Sequence, residues 1–261
     1  FRGFGLNNVV NSSIKLLLGY IFVWLGFKVY GAIAAVVLGV FVAFLLVFPF
    51  IKEVLRANNG KIENKLFSKD NILIILALMP VVIIYSSDVA LARMIFPAEI
   101  VGIYAVASII GKIILFGTLS LGSAMFPLSA EKFINGEKTH SIIRKTFLIM
   151  AVLCAIPVLL YALAPKFIIT IFQFGSQYLA AAPLLVYLGS AFTFISFLNV
   201  LILYRISINE FKWHHLLILF IFLISIWVVL PQFSESIEQF SIAFAILASM
   251  AFIGSVVLIR K

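Results

Sequence analysis

A run of about twenty apolar residues crosses a bilayer as one helix, because each helical residue advances 1.5 Å through a hydrocarbon core about 30 Å thick. Such runs follow one another along the chain, at roughly 6–26, 29–50, 72–96, 102–127, 142–164, 183–206, 213–231 and 241–259. They are about twice too long for strands of a transmembrane barrel and lack the alternation such strands need. Six prolines (Pro49, Pro97, Pro127, Pro165, Pro183 and Pro231) fall at the edges of runs, where a missing N–H costs least. Pro80 and Pro157 fall inside and predict kinks. The sequence therefore predicts an all-α fold, a polytopic α-helical membrane bundle of about eight transmembrane helices. Composition excludes the alternatives. With 64% hydrophobic residues, 11% charged, 27 Phe and a mean hydropathy of +1.22, the chain cannot cover a water-facing surface. Soluble enzymes, nucleic-acid-binding domains and disordered chains are ruled out. The sequence opens on Phe1 and is read as a piece of a longer chain.

The charges set the orientation. Placing 51–71 in the cytoplasm, with Lys52, Arg56, Lys61, Lys65 and Lys69, puts 14 of the 19 basic residues on that side by simple alternation. The opposite side receives Lys28 and Lys166, and its loop 231–240 is acidic. Both ends are then cytoplasmic, the localisation is the cytoplasmic membrane, and the net charge of +9 is topological rather than a sign of a nucleic-acid partner. Residues 51–71 read as a basic linker between a first hairpin (1–50) and a six-helix lobe (72–261). The outer stretch 165–182 is apolar but interrupted by Gln173, Gly175, Ser176 and Gln177, which predicts a short amphipathic or re-entrant helix.

Four ionisable residues lie well inside runs: Lys15, Asp88, Arg93 and Lys112. Each must face protein or a watery cavity, since a charge at mid-bilayer costs at least about 2.5–3.5 kcal/mol. With the turn between the third and fourth runs centred near residue 100, Asp88 and Lys112 stand twelve residues to either side and at one depth, so they can pair. Two readings stay open. Asp88, Arg93 and Lys112 line a central cavity in which the cations hold a phosphate-bearing substrate, or the pair only locks two helices together. Arg93 is also long enough to reach the outer interface. Asn7, Asn11 and Lys15 recur every four residues and form one polar stripe, either lining a path or packing on other helices. The small residues Ala107, Gly111, Gly117 and Gly122 predict close helix packing, and Trp24, Trp213 and Trp227 read as interfacial anchors, as do His214 and His215. Cys154 reads as a small buried apolar residue. No nucleophile elbow, zinc motif or phosphate loop occurs, so no metal or cofactor is expected. No loop exceeds about 21 residues, and the chain is not expected to be an enzyme. A membrane-embedded glycan polymerase or ligase, which needs a large outer loop, is the less favoured alternative.

The stretch SSDVALARMIFPAEIVGIYAVASIIGKIILFGTLSLGSAMFPLSAE (86–131) resembles the polysaccharide-biosynthesis flippases of the multidrug/oligosaccharidyl-lipid/polysaccharide exporter superfamily. The likeness rests on Asp88 in mid-span, Leu91-Ala92-Arg93, a short turn, Gly102 and Tyr104, Lys112, and Phe126-Pro127. The segment 166–186, with QYLAAAPLL, is similar to the family's short external segment. The resemblance implies two pseudo-symmetric lobes of twelve to fourteen spans in all, of which this chain supplies roughly spans five to twelve. It also implies alternating access to a central cavity and an isoprenoid-diphosphate-linked glycan as substrate. Glycosyltransferases or a polymerase of the same pathway would be neighbours. A multidrug cation antiporter of the same superfamily is the alternative, but bases outnumber acids inside the runs, which favours an anion.

Overall fold

The computed structural model describes residues 2–57, 69–172 and 175–259, with side chains over 12–42, 44–45, 72–172 and 175–257. These residues are almost entirely helical, and no strand occurs among them. The chain divides into two compact units, Phe1–Leu66 and Phe67–Lys261. Among the described residues seven helical runs are long and apolar enough to cross a membrane. The protein is a multi-pass helical membrane bundle.

In the first unit, α1 (Arg2–Phe22) and α2 (Lys28–Ala57) form an antiparallel hairpin. A single apolar run among the described residues, Ser12–Val42, overlaps both expected spans and doubles back at its middle. The reversal needs Gly26, whose φ of 88° is a left-handed conformation cheap only for glycine. Gly31, Ala35 and Gly39 make the buried stripe of α2, and the absent side chains let α1 come close. A Cβ on Gly31 would meet the Cβ atoms of Phe22 and Phe27 at 2.8 Å. Trp24 and Tyr30 at the turn stay exposed, as a hairpin tip at an interface requires.

The second unit holds α3 (Lys69–Ile95), α4 (Ala98–Ile134), α5 (His140–Leu163), the short α6 (Pro165–Ile171), α7 (Leu184–Ser207), α8 (Trp213–Val229) and α9 (Ile237–Ile259). Helix α7 is its axis, packed by α4, α9, α5 and α3, while α3 also meets α8 and α8 meets α9. The core is built of Ile, Leu and interlocked aromatic rings, with Phe192 against Phe244 and both Tyr104 and Phe96 against Phe240. Two buried tyrosines spend their hydroxyls on ties between elements. Tyr161 of α5 donates to the Ile110 carbonyl of α4 at 2.9 Å, and Tyr204 of α7 meets Thr139 at 2.8 Å.

Several boundaries differ from the sequence expectation. The fourth run does not stop at Pro127. Helix α4 continues through it for 37 residues, about 55 Å, and ends at Asn135–Gly136 in a turn closed by a Lys132–Glu137 ion pair of 3.0 Å. One lost backbone bond at Pro127 does not outweigh the bonds to either side. In the stretch 51–71, the first residues continue α2 to Ala57 and the last begin α3 at Lys69, while 58–68 lie outside the described residues. Helices α3 and α5 run on through Pro80 and Pro157. The stretch 165–182 contains α6 and a 3₁₀ segment, Ser176–Ala181, with Phe167 and Ile171 exposed.

Candidate functional site

The most unusual group in the second unit is a carboxylate with no exposed surface. Asp88 lies in α3, two turns before the helix ends at Ile95, and is fully buried. Its Oδ1 accepts a hydrogen bond from Lys112 Nζ at 2.9 Å, an ion pair between α3 and α4. Its Oδ2 accepts from the hydroxyl of Ser108, one turn before Lys112 on α4. Tyr104, a further turn back on the same face of α4, is fully buried. Tyr104, Ser108 and Lys112 therefore stand at i, i+4 and i+8, the spacing that lines one helix face. Beneath the ammonium lies the ring of Phe192 from α7, its centroid 5.4 Å from Nζ, within cation–π range.

The pair forms although the turn is not where the sequence placed it. Helix α3 ends at Ile95 and α4 starts at Ala98 after an extended Pro97, so the turn centres near 97. Asp88 is then nine residues before the centre and Lys112 fifteen after it, an axial offset of about 9 Å. Side-chain direction closes the gap. Helical side chains lean toward their own N-terminus, so Lys112 points back toward the turn and Asp88 points away from it. The four-carbon lysine stem spans the remainder, whereas short Ser108 reaches Asp88 because its backbone is nearly level with it.

The cluster is enclosed. Asp88, Ser108 and Tyr104 have no exposed surface, and only the Lys112 side chain retains some, at 14%. A buried charge removed from water is tolerated when paired and hydrogen-bonded, and here both carboxylate oxygens are engaged.

The remaining candidates lie elsewhere. Arg93 does not join Asp88 and Lys112. Five residues further along α3 it is turned away, is exposed, and donates from Nη1 to the Phe96 carbonyl at 3.5 Å, where it faces the negative end of the helix dipole. Lys15 belongs to the first unit, half-buried, with its methylenes against Gly39 of α2. Asn7 and Asn11 share its face of α1, but their side chains lie outside the described residues. Trp213 and Trp227 are largely exposed near the ends of α8, as interfacial anchors would be, and Cys154 is buried. His215 is a correction. It is not an interfacial group beside Trp213 but is buried, its Nδ1 accepting the Lys212 backbone N–H at 3.0 Å at the start of α8.

Sequence reasoning missed Ser108 as a site residue and Phe192 as the ring beneath Lys112. The i−4 spacing of Ser108 from Lys112 is a weak signal shared by any residue on that helix face, and nothing in the sequence points to Phe192. Among the described residues no three His, Cys, Asp or Glu side chains are grouped to hold a metal. No protein-family model, curated protein or solved structure matches this chain.

Proposed function

We propose that this protein carries an anionic, lipid-linked solute across the cytoplasmic membrane, of the isoprenoid-diphosphate oligosaccharide class, by alternating access between helical lobes. The observation that carries the reading is the Lys112 ammonium. Lys112 is the one charged residue of the enclosed cluster whose side chain retains some surface, so it is the residue a phosphate would meet. A helix-locking pair needs no such exposure, and two apolar residues would lock as well or better. Asp88 has no exposed surface while the Lys112 side chain keeps some, which favours an anion over the cationic cargo of a multidrug antiporter. The resemblance around residues 86–131 points the same way, and the basic loops favour a cytoplasmic pick-up side. No covalent step is involved, because binding and release at a two-sided site suffice for transport.

The test uses proteoliposomes containing a fluorescent prenyl-diphosphate oligosaccharide, with transfer between leaflets read by a membrane-impermeant quencher. Lys112→Ala is expected to reduce transfer at least tenfold. So is the charge-free pair Asp88→Leu/Lys112→Met, which keeps the packing. Undiminished transfer by the folded charge-free pair would overturn the reading.

A further inference from the structure

An ammonium has three hydrogens to place, and among the described residues that of Lys112 hydrogen-bonds to Asp88 alone. Its other contact is a π face. The centroid of the Phe192 ring of α7 lies 5.4 Å from Nζ, and the face of such a ring carries the negative part of its quadrupole. The residue beside the lysine makes room for this ring. A Cβ on Gly111 would lie 2.9 Å from Cδ2 of Phe192, so the missing side chain lets the ring come in under α4. Phe192 has no exposed surface, and Phe244 of α9 meets it in a T-shaped contact at a centroid distance of 5.9 Å. The ring is therefore a fixed surface against which the flexible lysine rests. An aliphatic side chain could fill the space but would offer a cation removed from water nothing in return.

We propose that Phe192 is a positioning residue for solute binding, its π face holding the Lys112 ammonium where a diphosphate meets it. A ring attracts the cation without cancelling its charge, so hydrogens not given to Asp88 stay available to phosphate oxygens. A second carboxylate in place of the ring would neutralise the site for an anion. Because Asp88 belongs to α3 and Phe192 to α7, the ammonium is tied to two helices at once, and a four-carbon stem that would otherwise sweep widely is confined. The proposal deepens the anionic-solute reading and rests on Lys112 as the residue that meets the solute.

The experiment alters the ring's charge distribution while nearly keeping its shape. Phe192 is replaced by trifluorophenylalanine through stop-codon suppression, which withdraws electron density from the π face. In thermal unfolding of the whole detergent-solubilised chain, the trifluoro ring is expected to lower Tm by roughly 3 °C. In the charge-free pair Asp88→Leu/Lys112→Leu, where no cation lies over the ring, it is expected to leave Tm unchanged. Equal shifts in the two backgrounds would report packing alone and overturn the proposal. Phe192→Leu, run through the same cycle, decides if suppression yields too little protein: its loss is expected to be larger with Lys112 present, and equal losses overturn the ring contact. Farnesyl diphosphate, titrated as a probe, is expected to bind the trifluoro protein about tenfold more weakly than the native one. Equal binding by both overturns the role of Phe192 and leaves the anionic-solute reading standing, whereas no binding to the native protein overturns that reading and the proposal with it.

Discussion

At the scale of single residues, the chain tolerates a buried carboxylate because its donors are in place. Removing one member of such a pair leaves the other charge uncompensated, which typically costs about 3–5 kcal/mol. Asp88→Ala and Lys112→Ala are each expected to lower stability by that order, with Asp88→Leu/Lys112→Met recovering most of it. Urea or thermal unfolding of the four proteins measures this, and additive losses would show that the 2.9 Å contact contributes no coupling. The pair was legible in the sequence because a charge inside an apolar run has few tolerable places to go. Ser108 was not, because serine hydroxyls in helices commonly turn back on their own backbone, as Ser196 does on the Phe192 carbonyl. Only the approach of α3 tells Ser108 apart from Ser196.

At the scale of helices, close approach is decided by which small residues find a neighbour. A Cβ on Gly111 would lie 2.9 Å from Cδ2 of Phe192 and 3.2 Å from the backbone carbon of Leu188. On Gly189 it would lie 2.7 Å from Cδ2 of Tyr161. That ring cannot retreat freely, because its hydroxyl is tied to the Ile110 carbonyl at 2.9 Å. Gly111→Ala and Gly189→Ala are expected to destabilise by about 1–3 kcal/mol. Gly117→Ala, where nothing lies within 4 Å, is expected to be neutral or to stabilise by about 0.5–1 kcal/mol through helix propensity. Thermal unfolding of the three variants checks the contrast. The small-residue pattern of α4 announced a tight contact. It did not show that Gly111 is pinned against α7 while Gly117 stands in the open, because period alone does not say which neighbour arrives.

At the scale of the whole molecule, alternation places the loop between α4 and α5 on one side of the membrane and the turn between α8 and α9 on the other. With Cys154 replaced by Ala, Glu137→Cys is expected to resist a membrane-impermeant maleimide in intact cells, and Ser234→Cys is expected to react with it. Both positions are exposed, so reactivity reports sidedness rather than burial. Labelling of both from outside would break the alternation and, with it, the cytoplasmic placement of Lys138, Arg144 and Lys145.

The apolar runs by themselves determined the fold class, since hydrocarbon leaves a backbone no partner but its own helix. They also determined which charges had to be sheltered. Tertiary structure decided how those charges were met. The turn at Pro97 rather than near residue 100 set Asp88 and Lys112 at unequal depths, and the opposed lean of their side chains brought them together. Arg93 was equally conspicuous in the sequence but was carried outward, because five residues of helical rotation turned it from Asp88 to the end of α3. Ser108 and Phe192 owe their place beside the pair to the packing of α4 against α3 and α7. A linear pattern records the period of a helix but not the neighbour each face will find.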